Sequence, residues 1–421
     1  SPTDPFWQTT GVTPLSLTGS WVLLFLKVVS LGFGAGLIWA VLQGSRRGLA
    51  PLAYLWILIL AYIHNYDLFY QYHDDWLIFL IMSLALWAWH HGAAVKGQIA
   101  LGVACALAAL SQPVLWAALL LAVLAVRRAF GESGGRGTFP SRRALWTAVG
   151  ISLLLAAAWT ARNWVQLGMF APIKSNAGYE LYQSQVHTKD GVPDASTFYK
   201  THPITFKSKA QQEYRTLGEP EFVRLRRETA IRSILADPGE FFRRVAHRLS
   251  NAVLYTQSPH NIAPVNPKIS AADLERLHRA GFVVYYPPRA KVWIDLDDPH
   301  KDLAKAVPSL GLADPQLVEA DWRIQSYRYY ENRFSAEQIG KGMLIGGMPW
   351  IALLITLLLR RSCPPAPAVR WVSLLLLLYL LPYALISHYW RYQVPLLGMQ
   401  AVLLAAGTIA LLRALIRSRQ R

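Results

Sequence analysis

The sequence predicts an all-α polytopic membrane protein of about nine transmembrane helices with a mostly helical extracytoplasmic lobe. Three observations carry that prediction. Hydrophobic residues make up 53% of the 421-residue chain, and a mean hydropathy of +0.25 is high for a soluble protein of this size. Apolar runs recur near 20–42, 49–63, 75–90, 97–110, 113–126, 144–161, 342–360, 370–387 and 393–414, where a helix crossing a bilayer needs about 20 residues. Lys and Arg gather in alternate loops between those runs, the asymmetry that sets orientation in a membrane.

The charges fix the order of the elements. Arg46 and Arg47 follow the first run; Arg127, Arg128, Arg136, Arg142 and Arg143 fill the loop after the fifth. Arg360, Arg361 and Arg370 separate the seventh and eighth, and Arg413, Arg417, Arg419 and Arg421 end the chain. With nine spans all four clusters share one side, which is then cytoplasmic. Several runs are short and rich in Trp, as in Trp76 to Trp89, which reads as helices tilted among or shielded by their neighbours. Ser1 falls outside, so the topology predicts a signal peptide or a further helix upstream of it. The net charge of +17 is scattered over membrane loops, which argues against a nucleic-acid-binding face. Cys105, inside a span, and Cys363, in a cytoplasmic loop, are the only cysteines; they do not pair and show no metal-type spacing.

Three blocks follow: residues 1–161 as an N-terminal membrane block of six helices, 162–341 as the extracytoplasmic lobe, and 342–421 as a C-terminal block of three helices. The lobe is ordered, because its apolar positions are periodic. Leu225, Ile231 and Leu235 recur at helical spacing, with Arg224, Arg226 and Arg227 between them. Asp237-Pro238 reads as an N-cap and first-turn proline opening a second helix through Phe241, Phe242, Val245 and Leu249. Ser270 with Asp273 resembles a capping box, Val283 to Tyr286 reads as a short strand, and Ser335 with Gln338 starts a last helix. The lobe is expected to lie on the outer leaflet with its Arg-rich helices towards lipid headgroups. For any single Arg, a solvated face without a ligand explains the charge equally well.

Four outer loops hold the residues able to do chemistry. In the first, His73, Asp74 and Asp75 stand at the mouth of the third span. Two adjacent carboxylates and a histidine are costly there unless they hold a divalent cation or orient a polar substrate. Capping of the helix N-terminus accounts for one of the acids and less well for two. The second loop is the tight turn Ser111-Gln112-Pro113, uninformative alone. The third runs from Arg162 and Asn163 to Lys174, Asn176, Tyr179 and Glu180; two cations in one outer loop suit a phosphate or pyrophosphate headgroup, or an Arg that only snorkels. The fourth, His388 to Pro395, carries Arg391, Tyr392 and His388, a possible ligand or acid/base; a lone His or Arg here also serves as an interfacial anchor.

At these residues the chain resembles the bacterial GT-C class of membrane glycosyltransferases, in its protein-mannosyltransferase-like branch that includes the lipid A aminoarabinose transferases. The similarity lies in ordered pieces: Leu107 to Pro113, Ala161 to Trp164 with Phe170 to Tyr179, Ala230 to Gly239, and Arg391-Tyr392-Gln393-Val394-Pro395. The resemblance implies sugar transfer from a polyprenyl-phosphate-linked donor at the periplasmic face of a bacterial inner membrane. It places Asp74 and Asp75 where the family carries an acidic residue that helps bind metal in some members, so a divalent ion is the cofactor implied, with His73, Asp74 and His388 as its ligands. Arg162, Lys174, Arg391 and Tyr392 would contact the lipid phosphate or donor, and Asn176 and Tyr179 would shape the donor or acceptor cavity. The family's acceptor-activating aspartate follows a first helix that this sequence does not contain. Either that base lies upstream of Ser1, or the chain is a noncatalytic relative that binds lipid or braces a larger complex. A transporter would need related halves and charges within spans, and a haem or copper protein would need His64, His73, His90, His91 and His388 to share a spacing; neither pattern is present.

Overall fold

The computed structural model describes residues 17–43, 48–63, 75–92, 94–130, 142–168, 176–188, 190–193, 197, 201–203, 209–254, 263–264, 270, 272–273, 276, 283–286, 291–294, 311–313, 315–316, 346–361, 363–388 and 390–420. Every apolar run read from the sequence is a helix: α1 (Leu17–Gln43), α2 (Leu49–Ile63), α3 (Asp75–His90), α4 (Val95–Ser111), α5 (Pro113–Phe130), α6 (Arg142–Leu167), α10 (Met348–Leu358), α11 (Pro367–Leu385) and α12 (Leu397–Arg419). Between them lie α7 (Ala177–Val186), α8 (Lys209–Ala236), α9 (Pro238–Leu254) and a small antiparallel sheet in the order β1 (Ala263–Pro264), β3 (Lys291–Ile294), β2 (Val283–Tyr286). The strand expected at Val283 to Tyr286 is β2; it pairs with β3 from Val283 opposite Ile294 to Tyr286 opposite Lys291. The chain is a predominantly helical membrane protein: among the described residues four helices are long and apolar enough to cross a bilayer, and five more are apolar but shorter.

Two compact units emerge. The helix unit comprises 17–175, 346–383 and 390–421; the lobe unit comprises 176–345 with 384–389 and the first sixteen residues.

In the helix unit, α1 packs on α3, α3 and α6 on α4, α2 and α10 on α12, and the 3-10 turn Trp390–Leu396 on α3. Helix α12 is apolar all round because it is interior: Leu397 to Leu404 are buried without a break. Gly407 permits its approach to α10, since a Cβ there would fall 2.7 Å from Cα of Ala352. Helices α1 and α6 are peripheral instead. Trp21, Phe25, Trp146 and Leu154 are each more than 60% exposed, an apolar rind that water disfavours and lipid tails accommodate.

The lobe is built from polar helices around a small aromatic centre. Tyr179, Ala210 and Phe222 are buried together against Tyr214 and Val223. Gly218, at φ +75°, and Pro220 break α8 into two helical stretches. Asp237 caps α9 as its sequence suggests, its Oδ1 accepting from the Glu240 N–H at 2.9 Å. Likewise the Asp273 N–H donates to Ser270 Oγ at 3.1 Å.

Candidate functional site

Within the helix unit, polar side chains from α1, α3, the α4–α5 turn, α11 and the 3-10 turn are buried in the interior. Asp75 is the first residue of α3 and is 5% exposed; Lys27, eleven residues into α1, is 1% exposed. The ammonium and the carboxylate lie within electrostatic reach of each other. A charged pair taken out of water is held only where each offsets the other's desolvation.

Gln112 bonds to two aromatic hydroxyls of the same unit. It sits in the single-residue turn between α4 and α5, extended in backbone, with Pro113 opening the next helix. Its Nε2 donates to the Tyr383 hydroxyl, and its Oε1 accepts from Tyr379 Oη at 3.3 Å. Tyr379 and Tyr383 are four residues apart on α11 and therefore share a face. The Tyr383 ring lies 4.0 Å, centroid to centroid, from that of Tyr392, and the Tyr379 phenol lies within electrostatic reach of Asp75. Behind Tyr392, Gln400 Nε2 donates to Gln393 Oε1 at 2.9 Å. A carboxylate, an ammonium, three phenols and an amide thus meet where α3 begins, α4 turns into α5 and α11 leads to the 3-10 turn. Such a cluster can bind hydroxyls and move a proton.

Other residues singled out in the sequence fall as follows. Arg162 is exposed near the end of α6; its guanidinium lies 4.8 Å from the Trp159 ring and donates to Asn163 Oδ1 at 3.1 Å. Arg391 has its backbone in the 3-10 turn, and its side chain lies outside the described residues, as do His73, Asp74 and Lys174 entirely. Among the described residues no three His, Cys, Asp or Glu converge.

Asn176, Tyr179 and His388 belong to the lobe unit. Asn176 stands exposed at the start of α7 and donates to Glu180 Oε1 at 2.7 Å. Tyr179 is in the aromatic centre, its hydroxyl 3.3 Å from Thr201 Oγ1, and burial raises its phenol far above the usual range. His388 is fully buried, its Nδ1 3.2 Å from Asn251 Nδ2. Burial foremost, then the neighbouring Arg248 charge, hold its pKa down to about 3. Arg248 is itself fully buried on α9: Nε donates to the Ala384 carbonyl at 2.7 Å, Nη2 to Leu385 at 3.1 Å and Nη1 to Gly191 at 3.3 Å. Ser184 Oγ adds a bond to the Ile386 carbonyl. Gly191, at φ +80°, is required there, because a Cβ would stand 2.6 Å from Cβ of Arg244.

His388 makes the lobe sensitive to acid. Its folded pKa lies below the ordinary imidazole value of 6.5, so between the two the unfolded chain binds the proton more readily. The stability conferred by the neutral ring is fully present above about pH 6.5 and is lost as pH falls towards 3. The unfolding midpoint should therefore drop more steeply between pH 7 and pH 5 in the native protein than in His388→Gln, measured by thermal denaturation in buffered detergent.

Lys27, Gln112, Tyr379, Tyr383 and Arg248 carry no distinguishing sequence motif. Lys27 alone gives a signal, as one cation in an otherwise apolar helix of 27 residues. No family model matches the chain, and neither a curated protein nor a solved structure does.

Proposed function

We propose that this chain is an integral membrane glycosyltransferase that moves a sugar from a polyprenyl-phosphate-linked donor to an acceptor at the outer, periplasmic face of a bacterial inner membrane. The observation that carries the reading is the buried carboxylate Asp75 among three phenols and the Gln112 amide. Nine crossings put the start of α3, the α4–α5 turn, the end of α6 and the α11–α12 connection on one side, opposite the arginine clusters. The convergence of Asp75, Gln112 and Tyr392 supports that arrangement.

The chemistry is a single displacement. An acceptor nucleophile attacks the anomeric carbon while its bond to the lipid phosphate oxygen breaks, and the phosphate leaves with the electron pair. The Asp75 carboxylate, with Asp74 beside it in sequence, takes the acceptor proton. Arg162, Lys174 and Arg391 neutralise the departing phosphate, and Tyr392 with the other phenols orients sugar hydroxyls. Asn176 and Tyr179 act within the lobe, Asn176 at the start of α7 and Tyr179 in its aromatic centre. Of the ligands expected for a divalent ion, His388 is fully buried beside the Arg248 guanidinium, whose charge disfavours a cation there.

The second reading, a noncatalytic subunit that binds lipid or braces a larger membrane complex, is favoured by the Lys27–Asp75 proximity, because a buried charge pair can hold two helices in register without any substrate.

Binding of decaprenyl phosphate to the purified protein in nanodiscs, compared with decaprenol, tests the proposal. Charge-assisted contacts of about 1.5–3 kcal/mol each make the phosphate bind at least about tenfold tighter, and Arg162→Ala and Arg391→Ala each remove about that factor. Equal affinity for phosphate and alcohol would overturn the assignment.

A further inference from the structure

Helix α9 is amphipathic in the reverse sense from a helix on a water-facing surface. At about 100° per residue, Phe242, Ala246 and Leu249 form one stripe and Phe241, Arg244, Arg248 and Asn251 another. The polar stripe faces inward: Arg248 and Asn251 are buried, and Arg244 donates to the Gln185 carbonyl. The apolar stripe faces outward, with Phe242 66% and Leu249 48% exposed. On the preceding helix Ile231 and Leu235, one turn apart, are exposed as well, at 43% and 73%.

What covers this face follows from what α9 grips. Arg248 holds the carbonyls of Ala384 and Leu385, the last two residues of α11. Helix α11 is one of the four helices long and apolar enough to cross a membrane. The end of a crossing helix lies at the membrane–water boundary, so the two bonds of Arg248 to the Ala384 and Leu385 carbonyls tie α9 to that end. There an outward apolar stripe meets acyl chains. The exposed Arg243 and Arg232, flanking the stripe, meet anionic headgroups.

We infer that the Phe242–Ala246–Leu249 stripe of α9 docks on lipid at the headgroup–acyl boundary, making α9 an interfacial anchor of the lobe. The inference depends on the membrane character of α11 and not on sugar transfer. Site-directed spin labelling in nanodiscs of phosphatidylethanolamine and phosphatidylglycerol tests it. In a Cys105→Ser/Cys363→Ser background, single cysteines replace residues 242, 243, 246, 249 and 250 in turn, and collisions with oxygen and with a water-soluble nickel chelate are counted. Labels at 242, 246 and 249 should collide more with oxygen, and the ratio should invert at 243 and 250, tracing helical periodicity. Nickel collisions dominating at 242 and 249 would show a solvated face. Low collision rates with both reagents would show protein cover, from a second copy or another segment. Either result overturns the inference, whereas decaprenyl phosphate binding can fail without touching it.

Discussion

Asp75→Asn should abolish the proposed sugar transfer and also destabilise the helix unit, and a second substitution separates the two effects. Removing the carboxylate leaves Lys27 buried without that neighbouring negative charge, which leaves the desolvation of its ammonium less offset and lowers stability. Adding Lys27→Met removes the stranded ammonium and puts an apolar chain of similar volume in the interior, so the double variant should regain most of the lost thermal stability. Transfer should stay lost, because the buried carboxylate that takes the acceptor's proton is gone and Asp74 does not replace it at that position. Stability and transfer returning together would make Asp75 a structural partner of Lys27 only and place the proton acceptor elsewhere, whereas no transfer by the native protein itself would favour the noncatalytic membrane subunit of the second reading. Thermal unfolding of the native protein and the two variants, beside product formation from a radiolabelled polyprenyl-phosphate sugar, decides between them.

Much of the helix unit was legible because one physical requirement dominates it. A backbone in hydrocarbon must satisfy its own hydrogen bonds, so each apolar run could only be a helix, and α2, α3 and α5 begin within a residue of the predicted positions. The caps of the lobe were legible for a related reason: Asp237 with Pro238, and Ser270 with Asp273, act over three residues and need no tertiary information. The site was legible only at its ends. Asp75 and Tyr392 stood out as polar residues beside apolar runs. Gln112, which bonds to two tyrosines some 270 positions away, looked like an ordinary turn residue. A turn restricts its own backbone and says nothing about the side chain's distant partner. The lobe misled in one respect. Its arginines suggested a basic face towards headgroups, yet on α9 Arg248 turns inward and the apolar stripe outward. Amphipathicity gives the existence of two faces, and the burial of one of them is set by what packs there.

Arg248→Met should destabilise the lobe by about 3 kcal/mol or more. Three carbonyls, those of Gly191, Ala384 and Leu385, lose a charged donor inside the protein, and each buried acceptor left without one costs about 1–3 kcal/mol. The cation at the end of α11 also complements the negative end of that helix's dipole, worth up to about 2 kcal/mol when partly buried. Some of this is returned, because burying a guanidinium carries its own desolvation penalty; burial has already lowered its pKa to about 10, which leaves it charged at neutral pH. Arg248→Lys separates charge from shape. An ammonium keeps the cation but lacks the planar fork that reaches three carbonyls at once, so its loss should fall between the native protein and Arg248→Met. Hydrogen exchange locates the damage: protection should fall across α9 and residues 384–388 in both variants, more in Arg248→Met, and stay unchanged in α4 and α12. Unchanged protection at 384–388 in Arg248→Met would mean that the α9–α11 grip contributes nothing to stability. The Arg248 anchor would then no longer hold α9 at the membrane boundary, and the interfacial position of the stripe would have to come from lipid contact alone.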